Sequence, residues 1–380
     1  MAHLFQYPHL IALMIAFVFA DIACAMTGNL ARKFGAVDVP GVLPYKVQKE
    51  SIPFVGGFAI LIGFIGSLVV SIDWDILLSS DIQTIIGDRH TKVAIATVLG
   101  GSVVAVLGLV DDFKSIHAVV KLVILMALTA VLAQMGLVVN LVGSEFVNWL
   151  ITLLWIVGVI SAFNAIDNTD GVAGGTAASA AFWVFLVGWG TSVESSQWSL
   201  SFLGVALFGS TLGFLRHNRP PARIYLGNGG SFLLGFLVAV ATIHAGWTRD
   251  PISSSLVPIM LLAYPIFDIT YTVLMRWKAG IVRNPIEAVV VSGRDHTAHR
   301  LAAIGFPPWG VLLVVLLLNG AGGFAGYMVV RHQLEGESVL LLAGACLVMY
   351  SIFGWVIRNA VDLRSPRACI SNRRETRKVV

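Results

Sequence analysis

The polar residues of this chain gather in a few short loops between apolar stretches of near-membrane length. Eleven such stretches can be placed, at 8–27, 52–71, 91–110, 119–140, 146–163, 176–190, 198–215, 231–245, 254–275, 308–327 and 338–357. A helix needs roughly 17–25 apolar residues to cross hydrocarbon. Backbone groups in lipid must bond within their own segment, so runs of this length are read as helices. The pattern predicts an all-α polytopic membrane protein of about eleven transmembrane helices. Composition agrees: 57% of residues are hydrophobic and 12% charged, where a soluble domain carries roughly 25% charged residues. Such a chain has too little polar surface to fold as a soluble protein. Nothing divides the stretches, so residues 1–360 are read as a single transmembrane domain and 361–380 as a basic tail.

The basic residues set an orientation. Arg32, Lys33, Lys46, Lys49, Lys114, Arg216, Arg219, Arg223, Arg276, Lys278, Arg283, Arg294, Arg300 and the tail from Arg358 follow odd-numbered stretches. The other side has little beyond Arg89, Lys92, Arg249 and Arg331. The positive-inside rule then puts the N-terminus outside and the C-terminus in the cytoplasm. The net charge of +4 is explained by cytoplasmic cations beside anionic headgroups and calls for no nucleic acid. Three dispersed cysteines, Cys24, Cys346 and Cys369, make neither a disulfide framework nor a zinc site. The first stretch lacks a basic leader and a small-residue cleavage pattern, so it is read as a retained helix.

Four of the loops on the basic side carry groups suited to chemistry. Asp111 and Asp112 close the third stretch, and adjacent carboxylates near lipid are costly unless a cation answers them. Lys114 and Lys121 are the nearby candidates. In Asn164–Gly175, Asp167 and Asp170 stand three apart, which a helical turn would place on one face. Gly171, Gly174 and Gly175 either let backbone approach a ligand or serve helix packing. Arg223 to Phe236 places Asn228, three glycines and Ser231 at a helix start, where N–H groups favour an anion. Ser231 is a candidate cap or phosphate contact. Gly293–Leu301 holds His296 and His299, with Arg294, Asp295 and Arg300 beside them. Imidazole can take a metal or a phosphate, but two histidines are short of a zinc set. Asp268 stands apart, inside the ninth stretch and three residues after Pro265. It must face the protein interior, with Pro265 a candidate break. It serves either a transport path or a basic partner.

Together these residues resemble the polyprenyl-phosphate N-acetylhexosamine-1-phosphate transferases, glycosyl transferase family 4. The likeness runs from about Gly35 through Leu301. It rests on several blocks in order: Asp38, Pro40, Lys46, Pro53, Gly56 and Gly57; Asp111–Asp112 with Lys121; Asn164, Asp167, Asp170 and Gly171; Pro265 with Asp268; and His296 with His299. Three positions depart from the family's pattern. Ser161 replaces an asparagine, Ala298 replaces a histidine, and Asn228 stands where the family has a magnesium-binding aspartate. The Arg216–Gly227 stretch is closer to the branch using simple UDP-N-acetylhexosamines than to the phospho-MurNAc-pentapeptide translocases.

The resemblance implies transfer of N-acetylhexosamine-1-phosphate from a UDP-sugar to undecaprenyl or another polyprenyl phosphate, releasing UMP. This would be the initiating step of a cell-envelope glycan, at the cytoplasmic face of a bacterial inner membrane. It implies Asp111, Asp112, Asp167 and Asp170 as catalytic residues. Substrate contacts are expected from Lys46, Lys121, Asn164, Arg223, Ser231, His296, His299 and Arg300. Magnesium, with manganese as its substitute, would lie on Asp112, Asp167, Asp170 and Asn228. The partners are the two substrates and the bilayer, with a homodimer left open. Two other readings stay open: a family relative that binds lipid phosphate without catalysis, on Asn228, and a transporter, on Asp268.

Overall fold

Each of the eleven apolar stretches carries a helix over most of its described residues. The structure, a computed structural model, describes residues 8–39, 50–71, 89–190, 195–243, 247–248, 250–283 and 293–364. The helices are α1 (Pro8–Phe34), α2 (Gly56–Ser71), α3 (Arg89–Phe113), α4 (Ala118–Gln134), α5 (Glu145–Ile166), α6 (Val172–Gly190), α7 (Ser195–Asn218), α8 (Gly227–Ile243), α9 (Pro251–Leu261), α10 (Ala263–Lys278), α11 (Thr297–Ala303), α12 (Pro308–Arg331) and α13 (Glu337–Arg364). Among the described residues seven of them, α1, α3, α5, α6, α7, α12 and α13, are long and apolar enough to cross a membrane. α2, α4 and α8 are apolar but shorter, and α9 and α10 form one stretch bent by 76°. The protein is an all-α polytopic membrane protein. α13 runs on to Arg364, into the first residues of the expected tail; residues 365–380 lie outside the described residues.

α8 is the axis of the bundle. Every residue from Gly229 to Thr242 is buried, as expected of a helix apolar on all sides. α2, α3, α5, α6 and α7 pack around it. Its N-terminal half is reached through glycines. A Cβ at Gly57 of α2 would lie 2.5 Å from Gly230 Cα, and one at Gly108 of α3 would collide with the Asn228 carbonyl. Small residues at such crossings let membrane helices touch backbone to backbone. The crossing brings the acidic end of α3 against the first turn of α8.

The short hairpin β1 (Val37–Asp38) and β2 (Ile52–Pro53) closes over this end. Tyr225 N–H donates to the Pro53 carbonyl at 2.7 Å, and Gly56 N–H donates to the Tyr225 carbonyl at 3.0 Å. The loop before α8 is thus tied to the loop before α2. Lys46 and Lys49 lie outside the described residues.

The α9–α10 break falls at Leu262, and Pro265 sits in the first turn of α10. Proline is tolerated there because that N–H would have no partner in the helix. The expected break is therefore present, three residues before the proline rather than at it.

The glycine crossing gives a direct test. Gly108→Ala should lower stability by about 1–3 kcal/mol, the range for overpacking a tight core. Gly158→Ala in α5, where a Cβ meets nothing within 4 Å, should leave it unchanged or slightly raised. Thermal unfolding of both variants in detergent decides; equal midpoints would contradict the close α3–α8 contact.

Candidate active site

Asp111 and Asp112 end α3, where the helix dipole disfavours acids. Each is compensated, and differently. Asp112 turns to the N-terminus of α8: its Oδ1 accepts from Asn228 N–H at 3.0 Å and its Oδ2 from Gly229 N–H at 3.3 Å. The anion site expected at the glycine turn is real, and the protein's own carboxylate fills it. Gly227, at φ +72°, makes the turn, and a side chain there would press on Asp112 and Phe54. Asp111 instead pairs with Lys121 of α4 at 3.0 Å. It also accepts from Ile116 N–H at 2.8 Å and from the Asn228 amide Nδ2 at 3.2 Å. Lys121 is thus Asp111's cationic partner, and its ammonium also lies 5.9 Å from the Phe232 ring.

Asp167 and Asp170 do not share a helical face. Asp167 is the residue that ends α5, its N–H bonded to the Phe163 carbonyl at 3.1 Å, and Asp170 lies in the turn before α6. Asp170 Oδ2 accepts from Ala222 N–H at 2.9 Å. Buried Asn218 fastens the same turn to the following loop, accepting from Gly171 N–H at 3.0 Å and donating to the Ile224 carbonyl at 2.9 Å. Gly171, Gly174 and Gly175 face Leu312, Leu215 and Leu316, so they serve packing rather than ligand approach.

The charges here are unbalanced. Burial pushes the Asp167 carboxyl well above the usual carboxylate range, and the charges of Asp112 and Asp170 push it further. Burial raises Asp170 as well, against the pull of the Ala222 N–H. The Tyr225 hydroxyl is pushed up to about 12 by burial and then by Asp170, Asp38 and Asp167. It keeps its proton at neutral pH and can donate to an anion. Tyr225 and Asn218 were not legible in the sequence; a tyrosine in a loop or an asparagine at a helix end carries no spacing signal.

Asn164 and Ser231 meet each other: the Ser231 hydroxyl donates to Asn164 Oδ1 at 3.1 Å. Ser231 lies inside the second turn of α8 and so does not cap that helix; Asp112 does. Arg223 is exposed at the loop before α8. Arg216 is drawn to Asp21 of α1 at 2.6 Å, and His217 reaches the same carboxylate at 2.8 Å.

The histidine loop forms its own cluster. Asp268 is fully buried; its Oδ2 accepts from His296 Nδ1 at 2.7 Å and its Oδ1 from Thr297 N–H at 2.8 Å. Asp295 is gripped by both Arg276 Nε and Nη2, at 2.8 and 2.6 Å. Burial raises the Asp295 carboxyl, but the hydrogen bonds and charge of Arg276 outweigh it and hold it below its usual value. Arg300 donates Nε to the Asp295 carbonyl at 2.8 Å and lies 5.5 Å from the Tyr271 ring. Burial, Arg294 and His296 bring the His299 imidazole down to about 4, so it is neutral at physiological pH. α11 leads directly into α12, whose Leu312 lies against Gly171. The histidine loop and the Asp167–Asp170 turn therefore stand at one end of the bundle.

A divalent cation fits this donor set in a particular way. Among the described residues no three His, Cys, Asp or Glu side chains converge as a ready-made metal cage. Yet the carboxylates are hard oxygen donors. Magnesium keeps several waters and takes one or two carboxylates together with substrate phosphates, which suits a loose acidic group better than a closed cage.

A multi-helix membrane bundle with carboxylates, a capped helix start and a histidine loop at one end defines a membrane-embedded protein suited to phosphate chemistry. The sequence model of glycosyl transferase family 4 matches residues 94–246, a range that begins within α3 and includes all of α8. The chain is 29% identical over 318 residues to the probable undecaprenyl-phosphate N-acetylglucosaminyl 1-phosphate transferase of Bacillus subtilis, covering 81% of each chain. It is 26% identical over 364 residues to the decaprenyl-phosphate N-acetylglucosaminephosphotransferase of Mycobacterium tuberculosis H37Rv, covering 89% of this chain and 86% of the relative. To the undecaprenyl-phosphate alpha-N-acetylglucosaminyl 1-phosphate transferase of Escherichia coli K12 it is 22% identical over 362 residues, covering 92% and 90%. Over residues 94–246 the chain is similar to glycosyl transferase family 4.

The raised Asp167 carboxyl has a measurable consequence. The folded protein holds a proton there that the unfolded chain releases, so stability falls as pH rises above the ordinary carboxylate range. Asp167→Asn removes that cost. In cation-free detergent solution the variant should melt higher than wild type near pH 8, and the difference should vanish as pH falls toward 4. A variant that melts lower at pH 8 would contradict the unbalanced charge.

Proposed function

We propose that this protein transfers N-acetylglucosamine-1-phosphate from UDP-N-acetylglucosamine to undecaprenyl phosphate or another polyprenyl phosphate, releasing UMP. The observation that carries the reading is the gathering of Asp111, Asp112, Asp167, Asp170 and Asn228 around the start of α8, beside Lys121. The names of the relatives support the sugar and the lipid. In the reaction an oxygen of the lipid phosphate forms a bond to the β-phosphorus of the UDP-sugar. The bond from that phosphorus to the bridging oxygen breaks, and the oxygen leaves with UMP. The product is a lipid-linked diphosphosugar.

The residues divide this work. Lys121 meets the lipid phosphate and Asp111 orients it; the phosphate is already acidic, so orientation counts for more than proton removal. Asp112, Asp167 and Asp170, with the Asn228 side-chain carbonyl, would hold magnesium, which supplies positive charge against the diphosphate. Asp112 has N–H donors on both oxygens, so its part is the most indirect. Tyr225, Arg223 and His299 are donors for phosphate or nucleotide, with Asn164 and Ser231 on the nucleotide side; Lys46, which lies outside the described residues, is proposed as a further cation for phosphate. The reading includes eleven crossings, the N-terminus outside and the site at the cytoplasmic face of a bacterial inner membrane, supported by the basic loops. The buried bonds of Asp268 count against a transport path through α9 and α10, because its carboxylate is already engaged.

Purified protein given polyprenyl phosphate, magnesium and UDP-N-acetylglucosamine should release UMP and form the lipid-linked sugar. Asp111→Ala and Asp167→Ala should each lose about a hundredfold or more in turnover, the scale of removing one group that stabilises transition-state charge. Folded wild type that yields no product with any UDP-N-acetylhexosamine would sink the reading.

Position 228 tests the metal. Asn228→Asp exchanges the amide that donates to Asp111 for a carboxylate. Without cation the variant should melt lower, because like charges then meet. With magnesium it should reach half-maximal turnover at a lower metal concentration than wild type. Identical magnesium curves would remove position 228 from the metal site.

A further inference from the structure

α10 is built inside out. Its exposed residues include Leu274 and Trp277, while its buried face is Tyr264, Pro265, Asp268, Thr272 and Arg276. Four of these stand at intervals of four, so they run as one stripe along the helix. Every member of the stripe bonds to the segment 295–297. The Tyr264 hydroxyl meets Thr297 Oγ1 at 3.0 Å. Asp268 takes His296 Nδ1, Thr297 N–H and the Thr297 hydroxyl. The Thr272 hydroxyl lies 3.4 Å from His296 Nδ1, and Arg276 clamps Asp295. A buried carboxylate is expensive unless its lone pairs are met, and three donors on Asp268 meet that condition.

We propose that this stripe is a dock that sets the histidine loop, with Asp268 a positioning residue that fixes the ring orientation and tautomer of His296. A carboxylate accepts only, so Asp268 keeps the proton of His296 on Nδ1 and leaves Nε2 as the ring's working atom. A ring held through one nitrogen in this way presents the other in a defined state, the arrangement by which second partners orient histidines. His299, one turn further along the loop, is carried on the same fixed backbone. The ligand this serves is the phosphate of the nucleotide sugar, so this part of the inference rests on the phosphosugar transfer proposed above. The dock itself does not.

Two readouts separate the claims. In protein labelled with 15N-histidine, the His296 signal, assigned by its loss in His296→Gln, should show a hydrogen-bonded Nδ1 proton. Asp268→Asn keeps the shape but can turn an N–H toward Nδ1, so the proton should move to Nε2. In turnover assays Asp268→Asn and His296→Gln should each lower kcat/KM about tenfold or more, and the double variant should be no worse than the poorer single, as for residues in one network. Tyr264→Phe removes one hydroxyl from the same network and carries the same tests if Asp268→Asn does not fold; its smaller loss should disappear in the His296→Gln background. A His296 signal unchanged by these substitutions, or losses that multiply, would overturn the proposal. Wild type without transferase activity would remove the proposed function, and the nitrogen signal would still decide the dock.

Discussion

The capture of the first N–H groups of α8 by Asp112 is the interaction on which the rest of the site depends. A helix buried on all sides leaves its first N–H groups without partners inside the helix. Asp112 supplies the acceptors, and the dipole of α8 offsets the cost of a charge at the wrong end of α3. The contact forms because Gly108 and Gly57 let α3 and α2 lie directly on the α8 backbone. One arrangement therefore joins three helices, seats Asn228 beside Asp111, and brings Asp112 within the field of Asp167.

The two acidic neighbours then part company in role. Asp111 has a cation, Lys121, and an amide, Asn228. Among the described residues no side-chain cation or amide pairs with the Asp167–Asp170 carboxyls; burial drives both up, and the charges of Asp112 and Asp170 add to the rise at Asp167. An acidic group left in this state is prepared for positive charge that arrives with a ligand. The histidine loop answers the opposite need. Its acids, Asp268 and Asp295, are spent on positioning, which leaves imidazole and arginine for an anion. Charge separation of this kind suits a substrate that carries both phosphate and a bound cation.

Much of this was legible from the chain. Helices were expected at every apolar stretch because lipid permits little else, and each stretch carries one over most of its described residues, seven of these helices being long and apolar enough to cross a membrane. A cationic partner was expected from the cost of adjacent carboxylates, with Lys114 and Lys121 both candidates; Lys121 takes that place on Asp111. A break in this stretch was visible as well, though it falls at Leu262 rather than at Pro265. Tertiary partners were not. Nothing in the spacing showed that Asp112 would cap α8 in place of a phosphate, that Arg216 would turn to Asp21, or that Asn218 would lock Gly171 to Ile224. Asp167 and Asp170 were read with helical spacing, but α5 ends at Ile166, Asp167 is its C-cap, and Asp170 lies in the turn that follows. The stripe on α10 could have been found: Tyr264, Asp268, Thr272 and Arg276 are polar at every fourth position in an otherwise apolar run, a period that gives one helix face.

Manganese binding followed by electron paramagnetic resonance tests the acidic junction most directly, because it needs neither substrate nor turnover. Wild type in detergent should bind manganese at a site that magnesium competes for, and Asp167→Asn and Asp170→Asn should each weaken it about tenfold or more, while His299→Ala leaves it unchanged. Manganese bound equally well by wild type and Asp167→Asn would contradict the assignment of the α5–α6 turn and the start of α8 as the site where the phosphosugar is held.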